Sequence, residues 1–224
     1  MPPPLLALCQ HVQTKLLPVK EAVAIHMPKE VFGVEHDTFL LPEDILQFGS
    51  MVEIGTTVIS VYMRFLIDYL KMANMVNLVG LVDPGLVSSG AGSISDRIKN
   101  LSNRLNTADG NQFFLVPYNP GGHWVMIIVR PATETAYYMN SLPKRMVDDD
   151  MRNIVNTKSI KMFNIHINKN SRKQQAIWKN LHGTPEQPTS FEKKKDKLQY
   201  KQEDIDEVRH EWAEFVNKQL PKDN

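Results

Sequence analysis

His123 and Asn140 are the two side chains whose types and positions invite chemistry. His123 follows Asn119-Pro120-Gly121-Gly122, a tetrapeptide that must turn, because proline fixes φ and removes a donor while glycine permits positive φ. It opens an apolar run over residues 124 to 129, and Asn140 closes another over 137 to 139. Together with residues 113 to 116, these runs are short, rich in β-branched and aromatic residues and bounded by turn chemistry, the pattern of buried strands. Adjacent antiparallel strands joined across residues 130 to 135 bring the start of one near the end of the next. An imidazole and a side-chain amide at neighbouring strand ends are what a general base and its orienting partner require. The competing reading is structural: a His-Trp pair at a strand start is often half buried, its ring nitrogens satisfied by backbone.

Other pieces of the chain bear on that choice. Phe-Phe-Leu-Val-Pro-Tyr-Asn, Gly-His-Trp-Val, Tyr-Tyr-Met-Asn-Ser-Leu, Ile-Trp-Lys and Glu-Gln-Pro occur in that order. In order and spacing they resemble the ubiquitin-like protease family, the SUMO-protease type of cysteine peptidase, and most of all its plant members associated with transposable elements. The likeness runs from about residue 41 to the C-terminus. It implies an α/β (α+β) cysteine-peptidase fold with a small central mixed sheet flanked by helices, over residues 41 to 224. Residues 1 to 40 are expected to add an N-terminal helix and short strands.

The resemblance also assigns roles. His123 falls where the family has its catalytic histidine, and Asn140 where it has the aspartate that orients the ring. Gln187, in Glu186-Gln187-Pro188, matches the glutamine of the oxyanion hole, and Trp124 flanks the groove that holds the tail of a ubiquitin-like partner. Two departures follow. Asparagine still holds an imidazole in one tautomer but gives up the negative charge that stabilises imidazolium. After Gln187 the family continues to Cys-Gly and a long apolar helix, whereas here Pro188-Thr189-Ser190 passes directly into Phe191-Glu192 and three lysines, with Lys193 where the thiol belongs. The segment is missing between Ser190 and Phe191, and with it the nucleophile. Cysteine-type peptidase chemistry is therefore expected to be lost in this chain. The alternatives are a non-catalytic descendant that binds a ubiquitin-like partner, and a spliced or mispredicted product of a gene whose full version is active.

The only cysteine is Cys9. The order Cys9, His123, Asn140 is that of papain-like enzymes, but the flanking Leu8 and Gln10 lack their local signature, and a thiol on an apolar helix face is inert packing. A single cysteine also excludes a disulfide framework and a cysteine-based metal centre. Asp148-Asp149-Asp150 lacks alternating ligand spacing and reads as a helix start facing the positive dipole end. No histidine pair has ligand spacing, so neither metal nor cofactor is expected.

The 26 basic and 25 acidic residues give a net charge of +1, which favours neither nucleic acid nor a membrane surface. Lys193-Lys194-Lys195, flanked by Glu192 and Asp196, reads as solvated surface. The N-terminal Met-Pro-Pro-Pro lacks the features of a signal peptide, so an intracellular protein, nuclear or cytoplasmic, is expected.

The positioning elements follow from periodicity. Leu5, Leu8, Cys9, Val12 and Leu16 mark a helix ended by Pro18, and residues 56 to 72 a longer one stopped near Asn74. Residues 23 to 26 and 38 to 41 form two short strands, and residues 42 to 48 a brief helical turn. Residues 84 to 92, rich in glycine and serine, read as a mobile surface loop. Ser93 and Asp96 form a capping box for a helix with Ile94, Ile98, Leu101 and Leu105 on its apolar face. Residues 162 to 167 are a strand candidate. Ile205, Val208, Trp212, Phe215 and Val216 form the apolar face of a C-terminal helix docked by Trp212.

Overall fold

The turn at Asn119 to Gly122 folds the chain back on itself, and the strands on either side of it pair. In this computed structural model the described residues are 1–107, 112–133, 135–140, 148–155, 177–180 and 201–220. The expected strand over 162 to 167, Gln187 and the lysine run lie outside them. The chain divides into two compact units, one of Met1–Ile25, Phe39–Val58 and Gly183–Asn224, the other of His26–Thr38 and Ile59–His182.

The second unit is built on a five-stranded mixed sheet. Its strands are β3 (Val79–Leu81), β4 (Phe113–Tyr118), β5 (Val125–Arg130), β6 (Thr135–Met139) and β7 (Ile177–Asn180), in that spatial order. β4, β5 and β6 pair antiparallel, whereas β3 runs parallel to β4 and β7 parallel to β6. Pro117 sits inside β4, where a proline removes a ladder donor. β3 reaches only Leu115 on that side, so Pro117 lies where β4 has a strand partner on one side alone.

One face of this sheet is apolar because alternate residues point to it. Phe114, Val116, Tyr118, Val125, Ile127 and Tyr138 are all buried there. α5 (Ile94–Leu105) contributes Leu101 and Leu105 to the same core, and α6 (Asp149–Ile154) contributes Met151 and Ile154. Both helices start as the sequence indicates. Ser93 and Asp96 form the capping box of α5, and Asp148 caps α6, its carboxylate accepting from Met151 N at 2.9 Å. α4 runs from Thr56 to Met72, and Asn74 just beyond it adopts a φ of 54°, the left-handed conformation asparagine tolerates at a helix stop.

In the first unit, α1 (Pro3–His11) passes into one π turn over Val12–Leu16 and a 3-10 turn over Leu17–Val19. Pro18 cannot donate to the helical ladder, which loosens the helix at this point. Leu5, Leu8, Cys9, Val12 and Leu16 are all buried, as their spacing requires. α3 (Pro42–Gly49) and the C-terminal helix α7 (Gln202–Asn217) complete the unit. Trp212 docks α7: its ring meets Phe48 edge-on at 4.7 Å and its indole Nε1 donates to Val58 O at 3.1 Å. Ile205 and Val208, expected on the buried face, are instead exposed. Arg209 takes the inward position, donating to Gly49 O at 2.6 Å and to Asp206 at 2.9 Å. The carbonyl at the end of α3 needs a donor, and an aliphatic side chain has none to offer.

Two short strands, β1 (Val23–Met27) and β2 (His36–Leu40), pair as expected, with a short helix α2 (Lys29–Phe32) between them. Among the described residues no helix is long and apolar enough to cross a membrane.

Packing at β3 leaves no room for a side chain on Gly80, because a Cβ there would overlap the ring of Phe114. Overfilling a close-packed core costs roughly 1–3 kcal/mol. Gly80→Ala is expected to destabilise the protein by about that much in urea unfolding, and an unchanged midpoint would place the Phe114 ring elsewhere.

Candidate active site

His123 stands one residue before Trp124 and two before β5, directly after Gly121 and Gly122, whose φ values are 116° and 94°. Only glycine adopts such angles at low cost. Asn119 shapes the turn by accepting Gly121 N on its side-chain oxygen at 2.8 Å. Thus the Asn-Pro-Gly-Gly sequence sets where the imidazole leaves the backbone.

Strand register brings Asn140 to the same rim. Met126 pairs with Met139, and Tyr118 with Val125. One further step of the β5–β6 ladder sets Val125 opposite Asn140, so Tyr118, Val125 and Asn140 form one cross-strand row. All three are buried, on the face that carries the core. His123 lies one side-chain period beyond Val125 and is half buried, as is Trp124. A residue and the one diagonal to it across an antiparallel pair are close enough for long side chains to meet. Both His123 Nε2 and Asn140 Nδ2 are buried.

Residues 84 to 92 lie partly at the surface, as expected, with Leu86, Ser89 and Gly90 exposed, but the stretch is also tied inward. Val87 and Ser88 are buried. Asn119 N donates to Ser88 Oγ at 3.1 Å, and Ser89 N donates to Asn119 O at 3.1 Å. The stretch therefore clamps the turn that carries His123. Asp83 anchors it at the start, accepting from Gly85 N at 2.8 Å and from Ser60 Oγ at 3.4 Å. Composition alone did not reveal this, because serine and glycine suit both an exposed loop and a hydrogen-bonded clamp.

The sequence also left Tyr118 and Arg97 unmarked. Tyr118 OH donates to Asp148 Oδ1 at 2.7 Å, and Arg97, itself 4% exposed, donates to Asp150 at 3.0 Å. Burial pushes the Tyr118 phenol up, and the hydrogen bond to Asp148 and that residue's charge add to the effect, with Arg97 opposing. The hydroxyl is thus a fixed donor at neutral pH. The triple aspartate is a helix start, as its sequence indicates, and it ties α6 to the row that holds Asn140.

In chemical terms, the rim carries an imidazole and a side-chain amide, groups of the kind that hold a ring in one tautomer where they meet. Trp124 lies beside it. Gln187 and the position of Lys193 lie outside the described residues. Cys9 belongs to the first unit. Its Sγ packs against Gly49, and burial raises its thiol pKa, with Arg209 pulling the other way. A buried thiol of that kind stays protonated near neutrality and makes a poor nucleophile. Among the described residues no group of three or more histidine, cysteine, aspartate or glutamate side chains could hold a metal ion.

Burial raises the Asp83 carboxyl above its usual range, against the Gly85 N–H, His36 and Ser60. The folded state then binds this proton more tightly than the unfolded one. Its contribution to stability therefore falls as pH rises from the ordinary carboxylate value of about 4 through the higher folded value. Asp83→Asn keeps an acceptor for Gly85 and removes the charge. Urea unfolding across pH 4 to 7 should show the variant more stable than the parent at neutral pH, with the difference closing toward pH 4; a variant less stable at pH 7 would contradict this.

No family model matches the chain, and no curated protein matches it.

Proposed function

We propose that this chain is a ubiquitin-like-protease-type cysteine peptidase fold that has lost its nucleophile, and that it engages a ubiquitin-like partner without cutting it. The observation that carries the reading is that His123 and Asn140, residues of the motifs that resemble that family, stand at the ends of adjacent strands on one rim of the mixed sheet. In the active chemistry a thiolate attacks the carbonyl, His123 shuttles the proton, Asn140 orients the ring and Gln187 stabilises the oxyanion. Here the first of these is missing: the only cysteine is Cys9, a buried thiol in the other unit. An intact base with no acid to deprotonate leaves binding as the retained function, with Trp124 beside the partner's tail.

Two assays of the purified protein test this. Turnover of modifier precursors and of isopeptide-linked modifiers is expected to stay at the uncatalysed background. Hydrolysis that disappears in His123→Ala would overturn the loss of catalysis. Binding of a ubiquitin-like modifier is expected to weaken roughly 30-fold in Trp124→Ala, the scale of an aromatic anchor at an interface. If no modifier binds at millimolar concentration, the partner reading falls.

A further inference from the structure

A second polar site lies at the other end of the sheet, where β3 and β4 begin. There an open groove of about 410 Å³ is lined by Lys29, Glu30, Asn77, Arg104, Thr107 and Gln112, with Gly33 and Val76. That volume is within the range of small-molecule sites, about 300–1,000 Å³. Every lining residue belongs to the second unit.

Arg104 is the centre of it. Its guanidinium carbon lies 5.4 Å from the centroid of the Phe114 ring, in cation–π range. On another side it meets Gly33, where a Cβ would come within 3.2 Å of Nη1. Arg104 Nε donates to Leu81 O at 2.7 Å, Nη1 to Thr107 Oγ1 at 2.5 Å and Nη2 to Val31 O at 3.4 Å. These contacts hold the planar group in one orientation before any ligand arrives.

All three acceptors are neutral, and no carboxylate among the described residues pairs with Arg104. Among the described residues its charge is therefore partly desolvated with no countercharge beside it, and burial lowers its pKa to about 10. A guanidinium has five N–H donors. Bonds to described residues engage three, leaving among them one on each of Nη1 and Nη2, atoms that can together grip a carboxylate or phosphate. Lys29 adds a second cation on the groove wall, and the Gln112 amide, which donates to Val76 O at 3.2 Å, is fixed beside it. Among the described residues Glu30 is the one carboxylate on the lining. Lys71 Nζ lies 3.5 Å from it, and its own backbone N–H, then Lys71 and Arg64, hold its carboxyl below the usual range. Its charge is thus already answered from outside the groove.

The geometry points to an oxyanion-binding site in which Arg104, aided by Lys29, grips the carboxylate or phosphate of a small molecule. Nothing in this site depends on the peptidase-type rim, so it stands or falls separately. The test is an NMR titration of the native protein with inorganic phosphate, phenyl phosphate and benzoate, following the Arg104 Nε–H and Gln112 side-chain signals at constant ionic strength. Saturable shifts are expected for at least one anion, with half-saturation below about 1 mM. Preference for phenyl phosphate over benzoate assigns a phosphate, and the reverse a carboxylate. Lys29→Gln, on an exposed side chain that the fold does not need, should weaken binding about fivefold, the worth of one exposed charge pair. Arg104→Gln should abolish it if the variant folds; if it does not, the native titration and Lys29→Gln decide. Shifts that stay linear to about 20 mM, or half-saturation unchanged in Lys29→Gln, overturn the proposal.

Discussion

The antiparallel register of β4, β5 and β6 is the constraint on which the candidate site depends. Side chains alternate with a period of two, so a slip of one residue would turn every buried side chain of a strand to the opposite face. Pairing of Phe114 with Val129, Val116 with Ile127 and Ile127 with Tyr138 keeps large apolar side chains together on the core face. Asn140 is carried onto that face by the same register, which is why a polar amide is only 5% exposed. The turn before His123 must agree with the ladder, and its two positive-φ glycines allow it to. The helices and the clamp over residues 84 to 92 hold this arrangement from outside.

Charge is distributed unusually around the rim. The side chain that shares the rim with the imidazole is a neutral amide, and an amide can hold a tautomer but does not stabilise an imidazolium. The nearby carboxylates serve structure: Asp148 caps α6 and receives Tyr118, and Asp150 answers the buried Arg97. Cys9 is packed as a small apolar side chain, its thiol raised by burial. Histidine and amide stand where the strand ends put them, at one rim of the sheet.

Much of this was legible in the sequence. Three apolar runs became the three antiparallel strands, with His123 and Asn140 at their ends, because turn residues and β-branched runs report on the chain's own conformation. The caps at Ser93 and Asp148 were readable for the same reason. Partners were not. The parallel pairing of β3 with β4, and of β7 with β6, depends on distant segments whose spacing leaves no local trace. Periodicity put Ile205 and Val208 inward, yet Arg209 is buried because a carbonyl at the end of α3 lies there to accept from it. The clamp on Asn119 and the seating of Arg104 between Gly33 and Phe114 likewise needed the folded chain.

The central claim is that residues 123 and 140 meet at one rim of the sheet. Nuclear Overhauser spectroscopy on protein labelled at histidine and asparagine reads this directly. Cross-peaks between the imidazole ring protons of His123 and the side-chain amide of Asn140, with the ring in a single tautomer, are the predicted result. An imidazole that exchanges freely between tautomers and shows no cross-peak to Asn140 would contradict it.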